Sequence, residues 1–228
     1  MHVWLVRLAA SATALAAARQ VLTDDERARA GAFADPERHR QFVSARGASR
    51  RILAAYLGKP PHLLDWRTGT YGKPYLSGAA EPLAFNLSHS GDLALLAVTC
   101  GRAVGIDVER LRGGQQVLVT AGRYFPPTEA RSLRAMAAGR RTEAYGRMWV
   151  RKEACVKAAG GRLGQGLGLR VGAEPGSVVV DDHRGRLRGP WRVTDVPVPT
   201  GYAAAVAREG AEDFRHILLA YPPATSGK

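Results

Sequence analysis

The sequence is short of cysteine, of acidic residues and of long hydrophobic runs. Its two cysteines, Cys100 and Cys155, have no Cys-x-x-Cys pair and no histidine at ligand spacing, which argues against a disulfide framework and a zinc site. No stretch approaches the roughly 18 uncharged apolar residues of a membrane span. Arg7 interrupts the alanine-rich start, where a signal peptide would have an unbroken apolar core. We therefore expect a soluble, cytoplasmic protein in a reducing compartment, without a membrane partner.

The scarcity of acidic residues indicates an anionic partner. The chain has 228 residues, with 20 Asp and Glu against 33 Lys and Arg, a formal net charge of +13. Such a charge attracts nucleic acid, a phosphorylated cofactor and an acidic protein surface alike, so it does not choose among them. The length suits one large domain or two small ones with a sizeable core.

A stretch with helical periodicity stands out among the residues that are present. Trp149, Glu153 and Lys157 fall on one stripe, whereas Cys155 falls on a face that can pack against a core. A glutamate four residues before a lysine is ordinarily a surface ion pair worth about 0.2 to 0.5 kcal/mol. The stripe alone therefore does not indicate a site.

A second acidic pair, far upstream, changes this interpretation. Asp107 and Glu109 are two residues apart, the period of a β-strand, so both carboxylates should point to one face and Val108 to the other. Together with Glu153 they make three carboxylates on two rigid elements, and Lys157 follows one helical turn later. Hard oxygen donors of this kind predict a magnesium site with a cation beside it.

Helix and strand patterns alternate along the whole chain. Apolar runs between turn residues predict short strands at residues 2–6, 93–98, 104–108, 178–180, 191–194, 203–207 and 214–219. Residues 93–98 and 104–108 predict an antiparallel hairpin whose second arm carries the two acids. Capping residues predict helices that begin at Thr23 and Asp35, one capped by Thr128 and one that starts near Thr142. The residues alone thus indicate a mixed α and β fold with antiparallel hairpins.

Four linked motifs occur in order between residues 72 and 160. They are Gly-Lys-Pro at 72–74, Phe-Asn-Leu-Ser-His-Ser at 85–90, Gly-Ile-Asp-Val-Glu at 105–109 and Trp-x-x-Lys-Glu-Ala-x-x-Lys-x-x-Gly at 149–160. In order and approximate spacing the chain resembles the 4'-phosphopantetheinyl transferases, in particular the surfactin-synthetase-activating type, in which one chain carries both halves. Any one motif would be a weak signal, but four together are a strong one.

This resemblance implies an α+β fold of two similar α/β subdomains related by a pseudo-twofold axis, each a helix packed on a small antiparallel sheet. Residues 1–112 would form the N-terminal subdomain, with the nucleotide contacts and Asp107 and Glu109. Residues 113–228 would form the C-terminal subdomain, with the Glu153 helix and the carrier-protein docking surface. The cofactor would lie in the cleft between them, and we expect a monomer.

The resemblance also implies a reaction. The 4'-phosphopantetheine arm of coenzyme A, the co-substrate, would pass to a serine hydroxyl of an apo acyl or peptidyl carrier protein, with release of adenosine 3',5'-bisphosphate. Asp107, Glu109 and Glu153 would bind Mg²⁺, and Asp107 is accordingly counted as catalytic. Glu153 would take the proton from the serine, directly or through a metal-bound water. Lys157 would steady the pyrophosphate and the departing bisphosphate.

Four further residues are expected to hold coenzyme A. By resemblance, Lys73, Ser88 and His89 would bind the nucleotide end and its phosphates, and Arg46 would meet the 3'-phosphate. Without the flanking motifs we would interpret Lys73 and His89 as turn residues. From its helical spacing alone, Arg46 would face solvent.

The carrier protein would meet the loop that we expect at residues 113–128. The surplus positive charge suits an acidic carrier helix, with electrostatic steering first and apolar contact afterwards. Tyr124 and Phe125 are the expected apolar contacts, with core packing as the alternative role. The sequence does not say whether the carrier serves polyketide, nonribosomal peptide or fatty-acid synthesis, nor whether acylated coenzyme A is accepted.

Two other classes of function remain open at this stage. A magnesium-dependent nuclease would use the same carboxylates on a phosphodiester and the net charge on the strand, but it leaves residues 72–74 and 85–90 unexplained. A noncatalytic adaptor would keep the fold without the chemistry. It has no physical reason to hold three like charges together.

Overall fold

The computed structural model describes residues 1–8, 11–77 and 83–221. These residues form ten β-strands: β1 (His2–Arg7), β2 (Trp66–Thr68), β3 (Pro74–Leu76), β4 (Leu83–Ser90), β5 (Leu93–Cys100), β6 (Val104–Arg110), β7 (Ser177–Val180), β8 (Trp191–Asp195), β9 (Tyr202–Glu209) and β10 (Ile217–Ala220). The seven α-helices of the described residues are α1 (Ala12–Gln20), α2 (Asp24–Gly31), α3 (Pro36–Leu57), α4 (Gln115–Tyr124), α5 (Pro127–Ala135), α6 (Ala138–Ala159) and α7 (Leu163–Gly166), and a 3-10 turn covers Pro61–Leu63.

Local capping explains where helices α2 and α3 begin and where α3 ends. Thr23 and Glu26 form a reciprocal capping box at the start of α2. The Asp35 side chain accepts a hydrogen bond from the Glu37 amide at the start of α3, and Pro36 occupies the first turn. Gly58 ends α3 with φ of 59°, a left-handed conformation that suits glycine. The predicted starts of both helices are confirmed.

Two four-stranded sheets make up the body of the protein. The strand order is β10-β1-β5-β4 in the first sheet and β6-β9-β8-β7 in the second, while β2 and β3 form a separate pair. Each large sheet packs against one helix of 22 residues, α3 or α6. The α+β class with two helix-packed sheets is thus confirmed, whereas the pseudo-twofold axis stays a prediction.

Alternating faces of the strands build a layered core. On β5, Ala94 and Leu96 pack towards α3, whereas Leu95 and Ala97 pack with residues of β6 and β9. Hydrophobic contacts therefore run from α3 through the first sheet to the second, whose far side packs on α6. The predicted inward face of α6 is confirmed, since Cys155 is fully buried.

The predicted hairpin of residues 93–98 and 104–108 is wrong. β5 pairs with β1 and β4, and β6 crosses to the second sheet, where it pairs with β9 in antiparallel register, Asp107 opposite Ala205. The strand that bears the two acids was expected in an N-terminal subdomain ending at residue 112, but it belongs to the sheet of the C-terminal half. β10 returns to the first sheet and runs parallel to β1. A turn of three residues allows a hairpin but does not require one.

Three other boundaries differ from the sequence prediction. Most of the loop expected at residues 113–128 is helix α4. Helix α5 begins after Pro126 without a side-chain cap, so Thr128 is not its N-cap. Helix α6 begins at Ala138, four residues before Thr142. None of the helices in the described residues is long and apolar enough to cross a bilayer.

Candidate active site where strand β6 meets helix α6

Gly105 lets strand β6 lie directly against helix α6. A Cβ at this position would lie 2.1 Å from the Ala154 carbonyl oxygen and 2.3 Å from the Ala158 amide nitrogen. Real side chains do not approach backbone this closely, so only glycine allows the contact. The neighbouring residues Asp107 and Glu109 share this face of the strand, since Ile106 and Val108 point to the inter-sheet core. The face that carries the two acids is thereby turned towards the helix.

Asp107 and Lys157 form the centre of the candidate site. Lys157 Nζ lies 2.5 Å from Asp107 Oδ1 and donates a second hydrogen bond to Ser88 Oγ at 3.0 Å. The Ser88 hydroxyl in turn donates to Asp107 Oδ1 at 2.8 Å. The Asp107 side chain is only 2% exposed, whereas that of Lys157 is 28% exposed. The ion pair therefore joins a buried carboxylate to a lysine whose side chain is partly exposed.

The other two carboxylates are held in an environment that favours their protonated forms. Burial, opposed by Lys157 and reinforced by the charges of Asp107 and Glu109, raises the pKa of Glu153 to about 7. Burial and the Asp107 charge also raise the pKa of Glu109, although the Ser90 hydroxyl donates to its Oε2 at 2.8 Å. Glu153 is thus poised to bind or release a proton near neutral pH.

The carboxylates lie close enough to repel one another, but they do not form a finished metal site. Among the described residues, no group of three or more His, Cys, Asp or Glu side chains is arranged to hold a metal ion. Asp107 Oδ2 is buried and has no hydrogen-bond partner among the residues that the structure describes. The prediction that Asp107, Glu109 and Glu153 bind one ion stays a prediction. The unpartnered oxygen is where a cation would relieve an unmet electrostatic demand.

Lys73 and His89 lie beside this centre. Lys73 Nζ donates to the Val104 and Ala158 carbonyl oxygens at 3.0 and 2.9 Å, so it ties the start of β6 to the end of α6, and burial lowers its pKa to about 8. The His89 side chain is exposed, yet its partial desolvation by the surrounding protein and, to a smaller extent, the charge of Lys157 lower its pKa. A neutral His89 at physiological pH follows from both effects.

Arg46 lies in a different cluster, on helix α3. Its guanidinium carbon lies 4.0 Å from the centroid of the Trp66 ring, and its Nε lies 3.5 Å from Glu26 Oε1. The expectation from spacing that Arg46 faces solvent is wrong, because its side chain is 15% exposed and burial lowers its pKa to about 10. Within the described residues its Nη1 is buried without a partner. Arg50 is buried too, in an ion pair with Glu26 at 2.6 Å.

The aromatic residues near the site divide into packed and exposed ones. Phe125 is buried and stacks on Tyr145, with ring centroids 5.4 Å apart, and Trp149 lies 5.9 Å from Tyr145. Phe125 therefore has the alternative role of core packing. Two apolar side chains of helix α4 are exposed, Tyr124 to 45% and Val119 to 60%.

The sequence interpretation did not assign a role to several buried polar residues. Lys152 is fully buried, 2.7 Å from Glu129, and its neighbour Arg151 is bound to Asp195 at 2.8 Å. Asn86 accepts the amide of Ile106 at 2.8 Å. The sequence contained a pattern that could have indicated a role for Asn86, since Asn86, Ser88 and Ser90 are polar and recur every two residues, the period of a strand. The buried ion pairs had no such signal, because charged helix residues usually face solvent.

Comparison with known proteins gives matches along almost the whole chain. The sequence profile of the 4'-phosphopantetheinyl transferase superfamily matches residues 103–207, and that of the 4'-phosphopantetheinyl transferase N-terminal region matches residues 8–101. The chain is 33% identical to 4'-phosphopantetheinyl transferase HetI of Nostoc over 212 residues, which is 92% of this chain and 88% of that protein.

Similarity over shorter stretches extends to proteins of other bacteria. Identity to a 4'-phosphopantetheinyl transferase of Bacillus subtilis is 28% over 198 residues, which covers 82% of this chain and 80% of the relative. For 4'-phosphopantetheinyl transferase AcpT of Salmonella typhi it is 37% over 118 residues, or 52% of this chain and 59% of the relative. The two matched profiles meet between residues 101 and 103, at the turn where the chain leaves the first sheet for the second.

Proposed function

Since this chain belongs to the 4'-phosphopantetheinyl transferase superfamily, and is thus an enzyme that transfers 4'-phosphopantetheine to carrier proteins, we propose that it takes the group from coenzyme A. The acceptor is a serine hydroxyl of an apo acyl or peptidyl carrier protein. Adenosine 3',5'-bisphosphate is the second product, and Mg²⁺ is required. The observation that carries this proposal is Glu153, with a pKa of about 7, beside Asp107, Glu109 and Lys157.

The donor set suits a hard divalent cation. Asp107, Glu109 and Glu153 offer only carboxylate oxygens, which are the ligands of magnesium in proteins. The buried Asp107 Oδ2, which lacks a partner among the described residues, and the raised pKa of the two glutamates support the same assignment. When bound, magnesium supplies charge neutralisation for the nonbridging oxygens of the pyrophosphate.

Glu153 is the proposed base. A carboxylate with a pKa near the working pH balances the fraction ionised against its strength as a proton acceptor, which is the optimum for general base catalysis. The proton of the serine hydroxyl passes to this carboxylate as the oxygen attacks phosphorus. Because Glu153 projects from rigid helix α6, its orientation does not depend on a loop.

Lys157 is the proposed cation for the phosphate groups. Its side chain stays partly exposed while its partner Asp107 is buried, which leaves Lys157 accessible to the phosphates of coenzyme A. Negative charge that develops on the departing bisphosphate is stabilised by such a preorganised donor. Lys157 then acts on the transition state more than on the bound coenzyme A.

The nucleotide end of coenzyme A is proposed to bind at Lys73, Ser88, His89 and Arg46. The unpartnered Nη1 of Arg46, among the described residues, supports a contact with the 3'-phosphate. Lys73 lines a cavity with Tyr71 and Gly160 that is open to solvent. Its ammonium group already donates to two backbone carbonyls, so its first effect is to hold the walls of that cavity together.

The carrier protein is proposed to approach over helix α4. A cavity beside Glu109, lined by Val117, Tyr145 and Trp149, opens next to this helix and would admit the serine loop. Exposed Val119 and Tyr124 offer apolar contacts, and the net charge of +13 favours an acidic partner. We propose a monomeric, cytoplasmic enzyme, since one chain holds every residue that the reaction uses.

Mass spectrometry of the carrier tests the proposal directly. The enzyme is mixed with Mg²⁺, coenzyme A and an apo carrier protein, and the carrier should gain the mass of one phosphopantetheine. Asp107→Asn should leave the carrier unmodified, and so should removal of the metal with a chelator. An unchanged carrier across several acyl and peptidyl types with the native enzyme would contradict the proposed reaction.

A further inference from the structure

Strands β4 and β6 lie side by side although they belong to different sheets. In the described residues they are joined through side chains instead of a backbone ladder. Three side-chain oxygens of β4 accept backbone amides of β6: Asn86 from Ile106 at 2.8 Å, Ser88 from Val108 at 3.4 Å and Ser90 from Arg110 at 3.1 Å. Each pair is separated by 20 residues, so the two strands run in the same direction. These amides point away from β9 and would otherwise be unsatisfied.

Two of these side chains make a second bond, and both go to a site carboxylate. Ser88 Oγ donates to Asp107 Oδ1 and Ser90 Oγ donates to Glu109 Oε2, each at 2.8 Å. A serine hydroxyl can accept a hydrogen bond from a backbone amide through its oxygen and at the same time donate its single proton in a hydrogen bond to a carboxylate. The spacing of two in β4 matches the spacing of two between the acids. Asn86 stands opposite Gly105, where no carboxylate occurs.

We propose that Ser90 is a positioning residue that holds Glu109 in the orientation needed to bind the divalent cation. The inference rests on the proposed function, in which Glu109 is a metal ligand. Ser88 plays the corresponding part for Asp107, but its hydroxyl is shared with Lys157. Ser90 therefore gives the cleaner test. A hydrogen bond to one carboxylate oxygen restricts the rotation of the group and aims the other oxygen.

The arrangement links the metal site to the contact between the two sheets. Glu109 belongs to the second sheet, and the hydroxyl that orients it belongs to the first. Any change in the distance between β4 and β6 would alter both hydrogen bonds of the Ser90 hydroxyl, the one from the Arg110 amide and the one to the Glu109 carboxylate. The orientation of the ligand thus depends on the assembled protein and not on strand β6 alone.

The test measures metal binding and not only turnover. Mn²⁺, which shares the preference of Mg²⁺ for oxygen ligands, is titrated by electron paramagnetic resonance into the full chain with saturating coenzyme A and no carrier protein. Ser90→Ala should weaken Mn²⁺ binding about 10- to 100-fold, the usual range for loss of a hydrogen bond to a metal ligand. Ser90→Thr keeps the hydroxyl and should restore binding to within about threefold of the native protein.

Two further variants separate the possible failures. Ser49→Ala removes another hydroxyl, which donates to the Ala45 carbonyl inside α3, and should leave Mn²⁺ binding unchanged. Asp107→Asn should abolish binding. If Asp107→Asn abolishes it but Ser90→Ala binds as the native protein does, the role of Ser90 is wrong and the metal site stands. If Asp107→Asn binds Mn²⁺ like the native protein, both the metal site and the role of Ser90 are overturned.

Discussion

Two lysines on helix α6, five residues apart, have opposite surroundings. Lys152 Nζ is fully buried; it donates to Glu129 and to the Leu169 carbonyl, and it lies 4.5 Å from the centroid of the Phe125 ring. The second oxygen of Glu129 accepts two backbone amides, of Val171 at 2.7 Å and Gly172 at 3.0 Å. Both partners of this ion pair are saturated.

Lys157 makes an ion pair that is still open. Its side chain is partly exposed, and Asp107 keeps one buried oxygen that no described residue satisfies. A saturated buried pair holds elements together, here α5, α6 and the segment around Val171. An unsaturated pair can exchange partners when a ligand arrives. Burial alone therefore does not distinguish the lysine that we propose to act on the phosphates; the unmet hydrogen-bonding capacity of its partner does.

The largest expected effect lies at Glu153, which directly follows Lys152 on the same helix. Glu153→Gln removes the proposed base and should lower kcat by about 10²- to 10⁴-fold. Glu143→Gln, on the exposed face of the same helix, is the matched control and should keep native turnover. Initial rates of carrier modification measure both variants. A Glu153→Gln enzyme within about threefold of the native rate would show that another group accepts the proton.

The difference between the two lysines is tested most directly by replacing each with methionine. Lys152→Met leaves Glu129 buried without its cation and should cost about 3 to 5 kcal/mol of folding free energy. Lys157→Met also leaves a buried carboxylate, Asp107, without its cation, so it should cost stability as well. Only Lys157→Met should in addition lower kcat, with little change in the Kd of coenzyme A. Chemical denaturation, together with kinetics, measures the pair.

Native turnover in Lys157→Met would contradict the distinction between a saturated and an unsaturated ion pair. A Lys152→Met protein that is fully folded but inactive would mean that Lys152 acts in the chemistry, in spite of its burial.

A smaller effect is expected where β6 touches α6. Gly105→Ala forces a methyl group against the backbone of Ala154 and Ala158, and overpacking of this kind costs about 1 to 3 kcal/mol. The strand would shift relative to the helix, and a displacement of about 1 Å can cost roughly 10²-fold in rate. Gly139→Ala, at a helix position where nothing lies within 4 Å, is the control and should be neutral. Thermal unfolding and kcat test both variants.

The smallest effect is the pH dependence of Glu153. Its carboxylate must be ionised to accept a proton, and bound Mg²⁺ favours the ionised form, so kcat/KM should fall about tenfold per pH unit below a pKa that lies under the metal-free value of about 7. The folded-state pKa of about 7 is above the ordinary value of 4.5, so the folded state binds the proton more tightly than the unfolded chain. The stabilising contribution of that proton is complete at low pH and is lost as pH rises from about 4.5 to about 7.

Glu153→Gln should therefore gain stability relative to the native protein as the pH rises from 5 to 8. Melting temperatures of the two proteins over that range measure the gain. A constant difference across the range would contradict a raised pKa, even if the rate profile had the expected limb.

Local patterns predicted much of the site but not its partners. The period of two placed Asp107 and Glu109 on one face of a strand, and the period of 3.6 placed Cys155 on the packed face of a helix. Both follow from backbone geometry, which depends on a few neighbouring residues. The hairpin prediction for β6 was wrong for the opposite reason, since strand pairing depends on residues such as Ala205 that lie about a hundred positions away.

By itself, the sequence determined the motifs, the faces of β6 and α6 and the membership of the family, because these are properties of residue type and short spacing. Only the tertiary structure decided that β6 joins the second sheet and that Ser90 reaches Glu109 from the first sheet. It also decided that the ion pair of Lys152 is saturated with hydrogen bonds while that of Lys157 is not. Burial and hydrogen-bond partners are set by contacts between distant segments. No window of neighbouring residues contains that information.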